Sequence, residues 1–243
     1  MPAKARGARA APGQGTTDWC RHAEEVLRRE LPGRPLAVYG SVTSTNDLLK
    51  EEALHGAPEG RCLLAREQTR GRGQRGRPWH SIAGLGVYLS VLLRPRWSGG
   101  DAGWLAMLAA VAAAEALDGL GVPAVALKWP NDVRAGGKKI GGVLIESRLN
   151  RGAIDFAVVG IGINVFHAVD DLDKAIRETT TSCRLEGVET GCAEVAAAVL
   201  KRLEAWYTRL ASNRFEPLVK RWTDYGGTMD LQGRGRGTRA RGP

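Results

Sequence analysis

The stretch Arg70-Gly71-Arg72-Gly73-Gln74-Arg75-Gly76-Arg77-Pro78-Trp79-His80-Ser81 sets four arginines and three glycines between two apolar runs. Arginine forks bind anions, and so do the backbone N–H groups that glycine exposes, so the chemistry this loop suits is that of phosphate. Gly71, Gly73 and Gly76 spell G-x-G-x-x-G. The dinucleotide fold that uses this pattern needs a helix directly after its last glycine. Here Pro78, Gly84 and Gly86 follow instead. A Walker loop would need Lys-Ser or Lys-Thr after Gly76, and neither is present. What remains is a pliable loop in which Arg72, Arg75 and Arg77 supply charge and Trp79 is placed to lie over a flat or apolar ligand. A solvated basic turn is the plainer alternative.

These residues need elements to hold them. Asp18 to Leu31 reads as a helix capped by Asp18, and Leu36 to Tyr39 as a short strand. Ser44 opens a second helix, since the acid three residues on, Asp47, resembles a capping box. Arg61–Glu67 and Gly86–Arg94 read as strands on either side of the basic loop. Trp104 to Leu117 is apolar nearly all round and suits a buried helix. Val125 to Trp129 reads as a strand that ends at Pro130, before a Pro-Asn-Asp turn. Lys139–Ser147 and Ala153–Ile161 flank Asn150-Arg151-Gly152, a hairpin turn. Ala193 to Leu210 carries helical spacing, and Arg214 to Tyr225 reads as a last helix. Helices and strands alternate irregularly around at least one hairpin. The expected class is therefore α+β, a mixed or antiparallel sheet flanked by helices.

The net charge of +9 is a property of the ends. Lys4, Arg6 and Arg9 near the start and Arg234, Arg236, Arg239 and Arg241 near the finish carry most of it; without them the balance falls to +2. Residues 1–17 and 228–243 read as solvated basic tails around one domain at 18–227. A nucleic-acid-binding module working through those tails is the rival from another class. Cys20, Cys62, Cys183 and Cys192 show no C-x-x-C spacing, and His22, His55, His80 and His167 no metal spacing. No leader is evident, and the longest apolar run, Trp104–Ala114, is shorter than the ~20 residues of a bilayer span. The expectation is a cytoplasmic protein with no membrane partner.

Five segments, in order, resemble the catalytic domain of biotin protein ligases: Ser44-Thr45-Asn46; Gln68 with GRGQRGRPW at 71–79; KWPNDV at 128–133; KKIGGVLIE at 138–146; and GIGIN at 160–164. The resemblance covers roughly residues 36–225. It implies a two-step reaction in which biotin and MgATP give biotinyl-5′-AMP and pyrophosphate, and a lysine of a biotin carboxyl carrier protein then takes the biotinyl group. It implies Lys139 as the essential lysine, with Arg72, Arg75 and Arg77 beside it. It implies a biotin site of Ser44, Thr45, Asn46, Gln68, Gly71, Arg72, Trp79, Lys139, Gly141 and Gly142. The adenylate side is Arg72, Arg75, Arg77, Asn131, Asp132, Lys139 and Asn164, with Asp132 toward Mg²⁺. From the residues alone, Ser44 suits a plain N-cap and Lys138 could be confused with Lys139.

Two departures stand out. The family loop usually has arginine where this chain has Gln74, and members normally finish with a small β-barrel domain that the residues after Gly227 are too few to build. The segment before the first strand is too short for the winged helix by which some members bind DNA, so no specific DNA binding is expected. A homodimer is compatible with the resemblance. A lipoate or octanoate ligase of the same fold, or a catalytically impaired biotin-binding protein, is the alternative function.

Overall fold

The computed structural model describes residues 15–212 and 214–227. The tails expected at 1–17 and 228–243 fall outside these, apart from residues 15–17. There the first helix, α1 (Thr16–Glu30), already begins. Gly15 holds its N-cap position, and Asp18 sits in its first turn, where a carboxylate favours the helix dipole.

The remaining helices are α2 (Thr45–Leu54), α3 (Ala102–Gly119), α4 (Cys192–Arg209) and α5 (Glu216–Asp224). The strands are β1 (Leu36–Tyr39), β2 (Cys62–Ala65), β3 (Gly86–Leu93), β4 (Val125–Lys128), β5 (Asp132–Ala135), β6 (Lys138–Asn150) and β7 (Ala153–Asn164). They form one sheet in the order β1-β2-β3-β7-β6-β5-β4, parallel only between β1 and β2. The mixed sheet flanked by helices is the architecture expected from the sequence. The hairpin turn is tighter than expected, because Arg151 (φ 50°) and Gly152 (φ 82°) are its only loop residues. Two successive positive φ values give the type I′ geometry whose twist matches the strands it joins.

One strand was not expected. Where the sequence reads as a turn after β4, the chain folds straight back as β5, paired with β4 on one side and β6 on the other. Lys128 pairs with Asp132, so the Trp129-Pro130-Asn131 corner is the whole connection.

The two faces of the sheet are covered unequally, and this creates the site. Val87, Leu89, Val91, Val159, Ile161 and Ile163 point to one face and join the large core with α1, α3 and α4. α3 is apolar enough by composition to cross a membrane, yet it is the buried centre of this core. On the other face α2 lays Leu49 and Ala53 on Leu63, Leu92, Phe156 and Val158. That cluster covers one end only. Because side chains alternate along a strand, the rest of this face carries Tyr88, Ser90, Gly142, Gly160, Gly162 and Asn164.

The cysteines are all free. Burial pushes the thiol of Cys62 up to about 11 and that of Cys183 up to about 12, and raises Cys192 as well. Thiolate is the reactive form, so these three should be inert in the native protein. A disulfide reagent at pH 8 should label at most Cys20 before unfolding and all four after it; fast labelling of two native thiols would contradict the packing.

Candidate active site

The open face of the sheet is the floor of a cavity of ≈ 570 Å³, within the ~300–1,000 Å³ usual for small-molecule sites. Its centre is glycine by necessity. Gly142 and Gly162 are directly paired across β6 and β7, and Gly160 lies two residues along. A Cβ on Gly160 would run into the Asn46 carboxamide, and one on Gly162 would lie 2.5 Å from the Trp79 indole. Side chains from elsewhere therefore rest directly on the strand backbone.

One wall is the N-terminus of α2. Ser44 caps it, its Oγ accepting from the Asp47 N–H at 3.3 Å, and the same residue lines the cavity. Only half of the capping box forms, because the Asp47 carboxylate turns to Arg72 and Lys50 instead. Thr45, Asn46 and the fully buried Ser90 form a network below the cap. The Ser90 hydroxyl is 2.6 Å from Asn46 Oδ1 and 2.7 Å from Thr45 Oγ1. A carboxamide oxygen cannot donate, so Asn46 accepts from Ser90, while the Thr45 hydroxyl lies between Ser90 and Gln68, donating to Gln68 Oε1 at 3.1 Å. Ser90→Ala removes both bonds; the Thr45 hydroxyl keeps Gln68 Oε1, so the Asn46 carbonyl is the buried partner left unsatisfied, at about 1–3 kcal/mol. A urea midpoint clearly below wild type is expected; an unchanged midpoint would mean the network contributes nothing.

The basic loop is a flap. Gly73 N–H donates to Arg77 O at 2.7 Å and Trp79 N–H to Gly71 O at 2.9 Å, so residues 71–79 form a narrow hairpin. Its tip is a short 3₁₀ turn, Gln74–Gly76, with Arg75 in the left-handed region at φ 57°. No residue pattern in the loop marked that turn in advance. Gln68 anchors the base: its Oε1 accepts from Thr45 N–H at 2.9 Å and its Nε2 donates to Ser81 Oγ at 3.0 Å. Gly71 is packed beneath, where a Cβ would meet Trp79 O at 2.6 Å and Ser81 Oγ at 2.7 Å. Arg75 and Arg77 line the cavity from the exposed flap. Trp79 reaches down onto Gly162, and its Nε1 is buried without a hydrogen-bond partner.

Lys139 completes the centre. Its Nζ is 2.6 Å from Asp132 Oδ1 and 5.5 Å from the Trp79 ring centroid. Asn131 donates to Val143 O at 2.8 Å, and Asn164 donates to Thr181 O at 3.0 Å, which fixes both buried amides at the cavity edge. His167 lines the cavity near Asn164. Burial lowers its pKa, against the opposing effects of Asp171 and a hydrogen bond to the Leu85 carbonyl. Among the described residues no three His, Cys, Asp or Glu side chains converge as a metal site. Asp132 is held as the partner of a lysine.

The structure thus gathers Ser44, Thr45, Asn46, Gln68, Arg72, Arg75, Arg77, Trp79, Asn131, Asp132, Lys139, Gly142 and Asn164 around one cavity. Two expected residues do not line it. Gly71 is the packed base of the flap. Gly141 pairs with Ile163, and its missing Cβ points at Gly162 O and the Ile163 side chain, so it faces away while Gly142 faces in. Residues that sequence reasoning did not assign also belong here: Ser90, Asp47, Lys50, Glu146, Lys128, Trp129 and His167. For Ser90 there was a signal, a lone serine in the largely apolar run GVYLSVLLR.

Fold and cavity together define an α+β domain with a cavity on the open face of its sheet, bordered by a cationic flap. The chain belongs to the biotin/lipoate A/B protein ligase family, whose model matches residues 38–164. It is 35% identical to the biotin–[acetyl-CoA-carboxylase] ligase of Mycobacterium tuberculosis, over 75% of this chain and 69% of that one. It is 32% identical to the bifunctional ligase/repressor BirA of Bacillus spizizenii, over 82% of this chain, and spans 62% of that protein's length. The biotin protein ligase of Aquifex aeolicus in complex with biotin and ATP superposes with a TM-score of 0.68 at 33% identity, covering 78% of this chain and 77% of that one.

Proposed function

We propose that this chain activates biotin with ATP and passes it to a lysine of a biotin carboxyl carrier protein. The observation that carries the reading is one juxtaposition. Lys139 and the flap arginines border a cavity in which the Trp79 indole rests on the glycine backbone of the sheet, so a flat apolar acid can lie against the indole with its carboxylate toward the cations. In the first step a biotin carboxylate oxygen attacks the α-phosphorus, the α–β bridging bond breaks and pyrophosphate leaves. In the second, the carrier lysine attacks the acyl carbonyl and AMP leaves. Two anions must meet in the first step, and fixed cations offset their repulsion most strongly where water is excluded.

Ser44, Thr45, Asn46 and Gln68 supply polar groups for the ureido ring, and Trp79 and Gly142 the apolar slot. Arg75, Arg77, Asn131 and Asn164 line the nucleotide end. Asp132 would be the carboxylate to hold a Mg²⁺ that accompanies ATP, and the ion would supply charge to offset that of the phosphates. The reading is of a cytoplasmic protein acting on a carboxylase subunit without specific DNA binding; a homodimer is compatible with it. Support comes from relatives named biotin–[acetyl-CoA-carboxylase] ligase in Mycobacterium tuberculosis and Paracoccus denitrificans.

The test is ATP–pyrophosphate exchange by the purified chain. Exchange should depend on biotin and not on lipoate or octanoate. Exchange with lipoate alone would move the protein to the other branch of the family, and biotin affinity without exchange would make it a binding protein.

A further inference from the structure

Arg72 stands at the base of the flap and is held by a single atom. Its Nη2 is 2.5 Å from Asp47 Oδ1 and 3.2 Å from both oxygens of Glu146. Lys50 Nζ lies 2.8 Å from Glu146 Oε1 and 2.9 Å from Asp47 Oδ1, and Asn46 Nδ2 donates to Glu146 Oε2 at 2.9 Å. Two cations and two carboxylates from α2, the flap and β6 thus form one closed cluster. The Arg72 side chain remains 38% exposed and lines the cavity, while its Nε and Nη1 have no partner among the described residues.

A partly exposed ion pair is usually worth about 0–1 kcal/mol, so stability alone is a weak reason for four charges here. Geometry gives a better one. A guanidinium is a rigid planar fork, so holding one of its nitrogens sets the direction of the other two. On the ligase reading above, we propose that Asp47 and Glu146 are positioning residues that hold Arg72 by Nη2, so that Nε and Nη1 present their donors to the anion bound in the cavity. Lys50 cancels the negative excess that two carboxylates around one arginine would bring to an anion site. Burial by itself would raise the Glu146 carboxyl, but hydrogen bonds from Lys50 and Asn46 outweigh it and keep the group below its ordinary value. The anchor is therefore charged at neutral pH.

A mutant cycle on the full chain separates this role from a structural one. Arg72→Gln should lower biotin-dependent exchange on the order of a hundredfold, the size typical of removing a donor from a developing anion. Asp47→Asn with Glu146→Gln should lower it about tenfold, and the triple variant should match Arg72→Gln alone, because residues that act through a common partner are not additive. A triple variant slower by the product of both effects overturns the proposal. Glu146→Gln alone is the second variant should the pair fail to fold, with the same non-additive outcome expected against Arg72→Gln. The nitrogen-15 spectrum of the arginine side chains, with Arg72 assigned by its loss in Arg72→Gln, gives a readout independent of activity. Hindered rotation of the Arg72 terminal nitrogens in the wild type, released in the double variant, supports the anchor; free rotation in the wild type overturns it. A wild-type chain that exchanges nothing but shows the hindered signal removes the ligase reading and keeps the anchor.

Discussion

Lys139→Gln should lower biotin-dependent ATP–pyrophosphate exchange by about 10²–10³-fold, the scale of losing one fixed charge stabiliser from an enclosed site. Lys139 is placed for this by β6, whose register against β5 shifts between Val133 and Arg134. Its Nζ then sits between Asp132 at 2.6 Å and the Trp79 ring. Asp132 fixes the direction of a side chain that would otherwise sample many rotamers, and the indole excludes water from one side. The neighbouring Lys138 is the internal control. It lies at the exposed start of the strand, opposite Ala135, and does not line the cavity. Lys138→Gln should therefore leave exchange within a few-fold of wild type. The Lys139–Asp132 pair is one-third to one-quarter exposed, so its loss should cost only about 0–1 kcal/mol and barely move the thermal midpoint. An unchanged exchange rate in Lys139→Gln, with the protein folded, would remove the central cation from the mechanism.

How much of this was legible depended on the range of the cause. The Asn-Arg-Gly turn, the capped start of α2 and the all-apolar α3 follow from local chemistry, and the sequence carries that chemistry openly. β5 has no such signature. Four residues, Asp132 to Ala135, are too short to show an alternation, and they become a strand because β4 and β6 pair with them on both sides. The choice between Gly141 and Gly142 is similar. Period two says that only one of two adjacent residues faces a given side, but which one depends on the register with Gly162, twenty residues away. The anchor of Arg72 was out of reach for the same reason, since Asp47 and Glu146 meet it only through the fold. The residue types of the site could be read from the segments that carry them, whereas their partners could not.

Gly162→Val should abolish the slot while sparing the sheet. The pocket face of β7 has glycine at 160 and 162, and β6 opposes the second with Gly142, so at the centre of the floor the sheet presents bare backbone. Trp79 occupies that space, its indole 2.5 Å from where a Cβ of residue 162 would stand. A valine must push the ring upward, and the flap carries the ring. Overpacking costs about 1–3 kcal/mol, which corresponds to roughly ten- to hundredfold in affinity if the flap bears the strain. Biotin titration by calorimetry should show that loss. β-branching suits a strand, so strand pairing should persist and the circular dichroism spectrum should match wild type. The companion variant Trp79→Ala distinguishes the mechanism. If valine acts by displacing the indole, adding it to Trp79→Ala should cost much less than adding it to wild type. Equal losses in the two backgrounds would mean that the valine blocks biotin itself, and that Trp79 is a cover and not the part that sets the depth of the slot.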